Sequence, residues 1–264
     1  MMQWIKTATI VGISFFSTIL LADSPNTLSA DAGYIKVPHP SFGENHVNPI
    51  RLAALQEAAS TLGTRGGLAW QARNINLALQ QEVIFLDQVF DFNQLLLDHN
   101  VLPPVLAESN GELNLDDDST LRTAQQTYRI LAPARFVTTP PNWREYLWMR
   151  FERPALPDHS LLPQTQAETE VWDHYLKEGW EKGIQQANDI FTANLNRLKT
   201  NIVGMVLYRK LLALHMVSAP FVAEAQLGVT GDATQLRIND QVLRITAQSQ
   251  LQPNPQKWQP ILTK

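Results

Sequence analysis

The chain has 264 residues, 44% of them apolar, with 21 basic against 25 acidic side chains spread along its length. A core of ordinary size is within reach, which excludes an intrinsically disordered protein, and no basic patch is offered to a nucleic-acid backbone. The absence of cysteine excludes disulfides, thiol nucleophiles, iron–sulfur clusters and zinc held by cysteine.

Lys6 precedes an apolar run from Thr7 to Ala22, closed by Asp23, Ser24 and Pro25. The run is short for a membrane span, which needs about 20 apolar residues. Its positive head and short apolar body predict a signal peptide over residues 1–22 and an exported chain, the alternative being an uncleaved single anchor. Residues 23–49, rich in Pro, Ser, Gly and Asn, read as an extended arm, and Val37-Pro38-His39-Pro40 has no place in a helix interior.

A helical pattern is predicted from Ile50 towards His99, started by Pro49 at its first turn. Gly63, Gly66 and Gly67 mark either a break or a close helix contact, since each glycine costs about 1 kcal/mol in a helix relative to Ala. Val101 to Leu106 holds two prolines and makes a poor central strand, fit at most for an edge. Asn110-Gly111 is a turn signal. Asp116-Asp117-Asp118, beside Ser119 and Thr120, read as the acidic start of a helix, with a short helix over Leu121 to Leu131. Asn142 is placed to cap a helix holding Trp143, Tyr146, Leu147 and Trp148. A second long helix is predicted from about Gln166 to Val217, because Ile190, Leu195, Leu198, Ile202, Met205 and Leu212 recur at helical steps, with a break near Gly179–Gly183 or Gly204. After Pro220 the period becomes that of a strand. Leu236 and Ile238, then Leu243 and Ile245, flank a turn expected at Asn239-Asp240. The fold class is mainly α (α+β): long amphipathic helices to about residue 219, and a small C-terminal antiparallel β element over about 227–248.

Motifs for catalysis are scarce. Glu170, His174 and Glu178 fall on one helix face, a spacing open to a metal, but Lys177 and Lys182 lie nearby for ordinary charge pairing. Neither glycine-rich segment continues into a phosphate-binding loop, and no Gly-x-Ser-x-Gly elbow occurs. No catalytic residue, cofactor or metal ligand is assigned, no small-molecule substrate is expected, and a non-enzymatic protein is the expectation. Trp143, Arg144, Tyr146, Trp148 and Arg150 combine large aromatic surface with arginine, the mixture that protein contacts favour; these five are the candidate partner contacts.

Three stretches also carry a family resemblance. They are Asn48-Pro49-Ile50-Arg51 through Gly63 to Trp70; Ala134-Arg135-Phe136-Val137-Thr138 through Trp143 to Leu147; and Glu178-Gly179-Trp180 through Asn188 and Phe191, then His215 to Ser218 and Leu227 to Asp232. Over about residues 45–262 the chain resembles the DotC family of type IVB (Dot/Icm) secretion systems and its relative TraI of IncI-type conjugation systems. The resemblance implies a single DotC-like domain over 50–262, in a structural subunit of the outer-membrane core complex. It also implies DotD-like and DotH-like partner subunits, a periplasmic location at the outer membrane, and no direct binding of nucleic acid. Members of that family are lipoproteins. No cysteine follows the apolar run here, so attachment to the outer membrane is expected through partners and not through a lipid on this chain. The alternative is a free periplasmic binding or chaperone-like protein.

Overall fold

The computed structural model describes residues 48–259 apart from Asp118. The expected signal peptide 1–22 and the arm over 23–47 lie outside the described residues. Two compact units are present. Within the described residues, the first takes 48–89 together with Leu147–Asn194; the second takes Phe90–Tyr146 and 195–259.

The first unit is built on helix α1, Pro49–Gln81. Asn48 caps it, its side chain accepting from the Ile50 amide at 2.9 Å, and Pro49 sits where a missing N–H is harmless. Leu55, Ala59, Leu62, Gly66, Ala69, Ala72, Ile75 and Leu79 form its buried stripe, at steps of three and four. A short helix α2, Val83–Val89, follows. The expected helix towards His99 therefore ends early: short 3-10 turns at Phe92–Leu95 and Asp98–Asn100 replace it.

Helix α1 packs against the first part of helix α4, Gln166–Ala213, and the two run parallel. Arg51 bonds to Glu168 and Gln71 to Asn188, and both pairs are 117 residues apart in sequence. The register thus holds over 20 residues, about 30 Å of helix. The glycines explain how. A Cβ on Gly63 would strike the carbonyl of Leu176, on Gly67 that of Trp180, on Gly179 that of Ser60, and on Gly183 that of Thr64. Backbone lies against backbone, so neither helix breaks where breaks were allowed for. Of the two readings of Gly63–Gly67, the close helix contact is the observed one. The long helix also continues through Gly204, whose Cβ position is filled by Val105 and Leu106.

One end of this pair is tied by Arg51. Its guanidinium donates Nε to Glu168 Oε1 at 2.6 Å and Nη2 to Oε2 at 3.0 Å, and it also reaches the carbonyls of Ser160 and Leu162 at 2.8 and 3.1 Å. Glu168 itself sits in the first turn of α4, where its amide donates to Thr165 Oγ1 and its carboxylate accepts from the Gln164 amide at 2.7 Å. That is a capping box with an arginine added. Leu55, Ala59, Leu62, Leu162 and Trp172 are buried together.

The second unit is richer in β-structure than expected. Strands β1 (Val101–Leu102) and β4 (Arg135–Phe136) make one small pair. Strands β2 (Val105–Asp117) and β3 (Thr120–Ala132) make a long antiparallel ribbon. A five-residue helix α3, Trp143–Leu147, is capped as predicted: the Arg144 amide donates to Asn142 Oδ1 at 3.0 Å, and the Asn142 amide to Glu145 Oε1 at 3.1 Å. Trp148 falls just outside it. A second ribbon pairs β5, Phe221–Gly231, with β6, Leu236–Ala247. Leu106, Tyr208, Leu211 and Val217 form the buried centre, with Tyr128, Ile130 and Leu251 packed on it.

Three expectations are corrected here. The helix expected over Leu121–Leu131 is strand β3, and the three aspartates precede no helix. Leu121, Ala124, Tyr128 and Leu131 fall at helical intervals, but pairing with β2 decides the matter, as partners outweigh weak propensity. The turn expected at Asn239-Asp240 is a bulge within β6, where Asn239 takes φ 58°. Asn110-Gly111 likewise lies inside β2, with Gly111 at φ 68°. The reversals occur elsewhere, and both are led by aspartate. Asp117 Oδ1 accepts from the Ser119 amide at 2.8 Å, and Asp232 Oδ1 from the Thr234 amide at 2.7 Å. Such a side chain mimics a backbone turn. The donors also stabilise the ionised form, and the Ser119 and Thr234 hydroxyls hold the two carboxyls below their ordinary range.

Candidate interaction surfaces

The five candidate contact residues divide between the units. Trp143, Arg144 and Tyr146 belong to the second, and Trp148 and Arg150 to the first. Trp143 is fully buried, with the Arg144 guanidinium 4.4 Å from its ring centre. Tyr146 stacks on Phe92 at 5.9 Å with the rings nearly coplanar in orientation; its hydroxyl accepts from Asn201 Nδ2 at 2.9 Å, and Arg197 lies 5.1 Å from its ring. These contacts serve the interior of the second unit, so Trp143 has no surface to give a partner. Trp148 and Arg150 are exposed.

In the first unit Trp148 borders an open cleft of about 310 Å³ with Ala69, Arg73, Leu77, Met149 and Phe151. Asn76 builds it. Its amide donates to the Met149 carbonyl at 2.7 Å and its carbonyl accepts from the Met149 amide at 3.1 Å, as a neighbouring strand would. Met149 is thereby pressed into the core, while Trp148 and Phe151 are turned outward, 37% and 40% exposed. Removing both bonds should cost about 2 kcal/mol. Asn76→Ala is expected to lower the thermal midpoint by several degrees and to increase quenching of Trp148 fluorescence by a neutral quencher. An unchanged midpoint and spectrum would show that the segment is held by other contacts.

In the second unit the β2–β3 ribbon is buried at its base, at Val105 and Leu106, and both ribbons are bare at their tips. Beyond Gly111, Leu113 pairs with Thr123 and Leu115 with Leu121. Strand alternation places these four on one face, and the three leucines are 55–68% exposed. On the other ribbon Val229 pairs with Ile238 and Gly231 with Leu236; Val229, Leu236 and Ile238 are 65–70% exposed. Among the described residues each sheet has two strands, which leaves the edges of each ribbon without a strand partner there. Sequence reasoning missed the first ribbon. The signal present was the alternation of Leu113 and Leu115 ahead of an Asp-x-Ser turn.

No metal arrangement forms around Glu170, His174 and Glu178. Glu178 accepts from Lys182 at 2.7 Å, which holds its carboxyl low, Glu170 accepts from Gln166, and His174 lies edge-on to Tyr175. Among the described residues no group of His, Asp and Glu side chains is placed to hold a metal ion, and no helix is long and apolar enough to cross a membrane.

The architecture is that of an α+β protein in which parallel helices lock together by glycine and paired ribbons present apolar tips. The chain belongs to the TraI family of the type IV secretory system, described by conjugal DNA–protein transfer, whose family model matches residues 49–260. It is a component of a type IV secretion or conjugation system. No curated protein matches it.

Proposed function

We propose that this protein is a structural, non-enzymatic subunit of the outer-membrane core complex of a type IVB secretion or conjugation system. There it helps to assemble and localise DotD-like and DotH-like subunits. The observation that carries this reading is the pair of ribbons, whose exposed leucine, valine and isoleucine tips and unpaired edges are costly to leave in water and suited to other chains. The family membership supplies the machine to which such surfaces belong.

In this reading the chain reaches the outer membrane through protein contact. The 264 residues contain no cysteine to acylate, and no described helix is long and apolar enough to cross a bilayer. The experiment is envelope fractionation in cells with and without the DotD-like and DotH-like neighbours. Sedimentation with the outer membrane in the intact strain, and release into the soluble periplasm when the neighbours are deleted, is the expected result. Retention at the outer membrane without them, resistant to high salt, would overturn it.

A further inference from the structure

Helix α1 forms one wall of the open cleft of the first unit, from Ala69 to Gln80, and Trp148 and Phe151 form the other. Its apolar parts face water: Leu77 is 46% exposed, Trp148 37% and Phe151 40%. Ala69 lies 21 residues beyond Asn48 and Gln80 lies 32, so the cleft runs from about 32 to about 48 Å along the helix. The 25 residues 23–47 join this unit at Asn48, the cap of that same helix. Their densest apolar block is Tyr34-Ile35-Lys36-Val37-Pro38, 10–14 residues before the cap. At about 3.3 Å per extended residue, the block reaches from about 33 to about 46 Å. Cleft and block thus fall at the same distance from the same point. Gly43 and Asn45, between them, favour the bend that a return along the helix requires.

We propose that residues 34–38 of this chain dock, extended, in the cleft of their own first unit. Ile35 and Val37 fall on one side of an extended chain and enter between Leu77 and the aromatic rings. Lys36 falls on the other side and stays in water. The block has the chemistry for that shape. Ile35 and Val37 are β-branched. Val37 is restricted further to extended backbone by Pro38, and Pro38 and Pro40 fix φ near the polyproline value. A segment so prepared loses little freedom on docking, and aromatic-lined grooves recognise such segments. Gln80 supplies a side-chain donor for the carbonyls of an extended chain. The tether selects this occupant. A short connection holds the block at an effective concentration on the order of a millimolar, which a second copy or a separate protein must exceed to displace it. The inference goes beyond the role in secretion and would stand if the outer-membrane assignment failed, since it concerns this chain alone.

The cysteine-free sequence makes the test direct. The full-length chain is made with Lys36→Cys and Arg73→Cys, which leave the docking side chains in place; Arg73 is exposed. A short bis-maleimide is expected to link the two within one chain, at least tenfold more than when Glu57→Cys replaces Arg73→Cys. Glu57 is exposed as well and lies 16 residues nearer the cap, so an arm moving at random would find it first. Val37→Asp puts a charge on the side that enters the cleft and should lower the yield about tenfold, while Val37→Ile should preserve it. Trp148→Ala should lower it from the opposite wall, with circular dichroism to confirm that the variant folds. Equal yields at Glu57 and Arg73 overturn the proposal. So does a yield indifferent to Val37→Asp, or a product that joins two copies or a different protein in place of the link within one chain.

Discussion

Gly183→Ala is expected to destabilise the first unit by about 2–3 kcal/mol, although the same change in an exposed helix would stabilise it by about 1 kcal/mol. The sign is decided by space. The added Cβ would fall on the Thr64 carbonyl and within 2.7 Å of the Leu68 amide nitrogen, and backbone atoms cannot swing aside as a side chain can. The two helices must move apart along a register that also carries Arg51–Glu168 and Gln71–Asn188. At about 2–4 °C per kcal/mol for a chain of this size, the melting midpoint should fall by roughly 4–12 °C. Arg65→Ala, on the exposed side of the same turn of α1, is the control and should change stability by no more than about 0.5 kcal/mol. Calorimetry on both variants checks the expectation; equal midpoints would mean that the helices do not touch at the glycines.

Arg51→Met should do comparable or greater harm, about 3 kcal/mol, because it leaves the Glu168 carboxylate behind. That side chain is 4% exposed, and a buried charge stripped of its partner is among the most costly defects a fold can carry. The Ser160 and Leu162 carbonyls lose their donor as well. The pH dependence carries a definite sign. The hydrogen bond from Arg51, more than any other contact, holds Glu168 below its ordinary value of 4.5. A carboxyl depressed by folding adds stability that is present in full above the unfolded value and is lost as pH falls through the folded one. The native protein should therefore lose this contribution on the acid side of about pH 4.5, and Glu168→Gln should flatten that limb while lowering stability at neutral pH. Denaturant midpoints measured between pH 3 and 7 decide it. A native acid limb as flat as that of Glu168→Gln would remove the pair from the account.

Helices were the legible part of the sequence. Leu55, Ala59 and Leu62, or Leu198 and Met205, repeat at intervals that only a helix turns to one side, and Asn48-Pro49 and Asn142 announce their caps. What the glycines meant was open, because Gly63 and Gly183 are read alone while their effect depends on a partner helix 117 residues away. The ribbons were half legible. Strand β6 has the period of two, but Asn239-Asp240 and Asn110-Gly111 carry the composition of turns and serve as bends within strands. Asp117 and Asp232 make the reversals through their side chains, a function that composition shares with helix starts. Of the contact candidates, Trp148 and Arg150 reach the surface. Trp143 does not, since aromatic content alone does not say which side of a short helix will face the core.

The parallel run of α1 and α4 has a consequence in time. Two helices joined by a short loop lie antiparallel and can fold as they are made; these two cannot. When α1 leaves the ribosome, the residues that will cover its glycine face are still 117 positions behind, about 6–23 s at ordinary rates of synthesis. Contacts so distant in sequence also close slowly. For that interval Leu55, Leu62 and Leu79 are uncovered. The newly made chain thus carries an uncovered apolar helix face for several seconds before the segment that buries it exists.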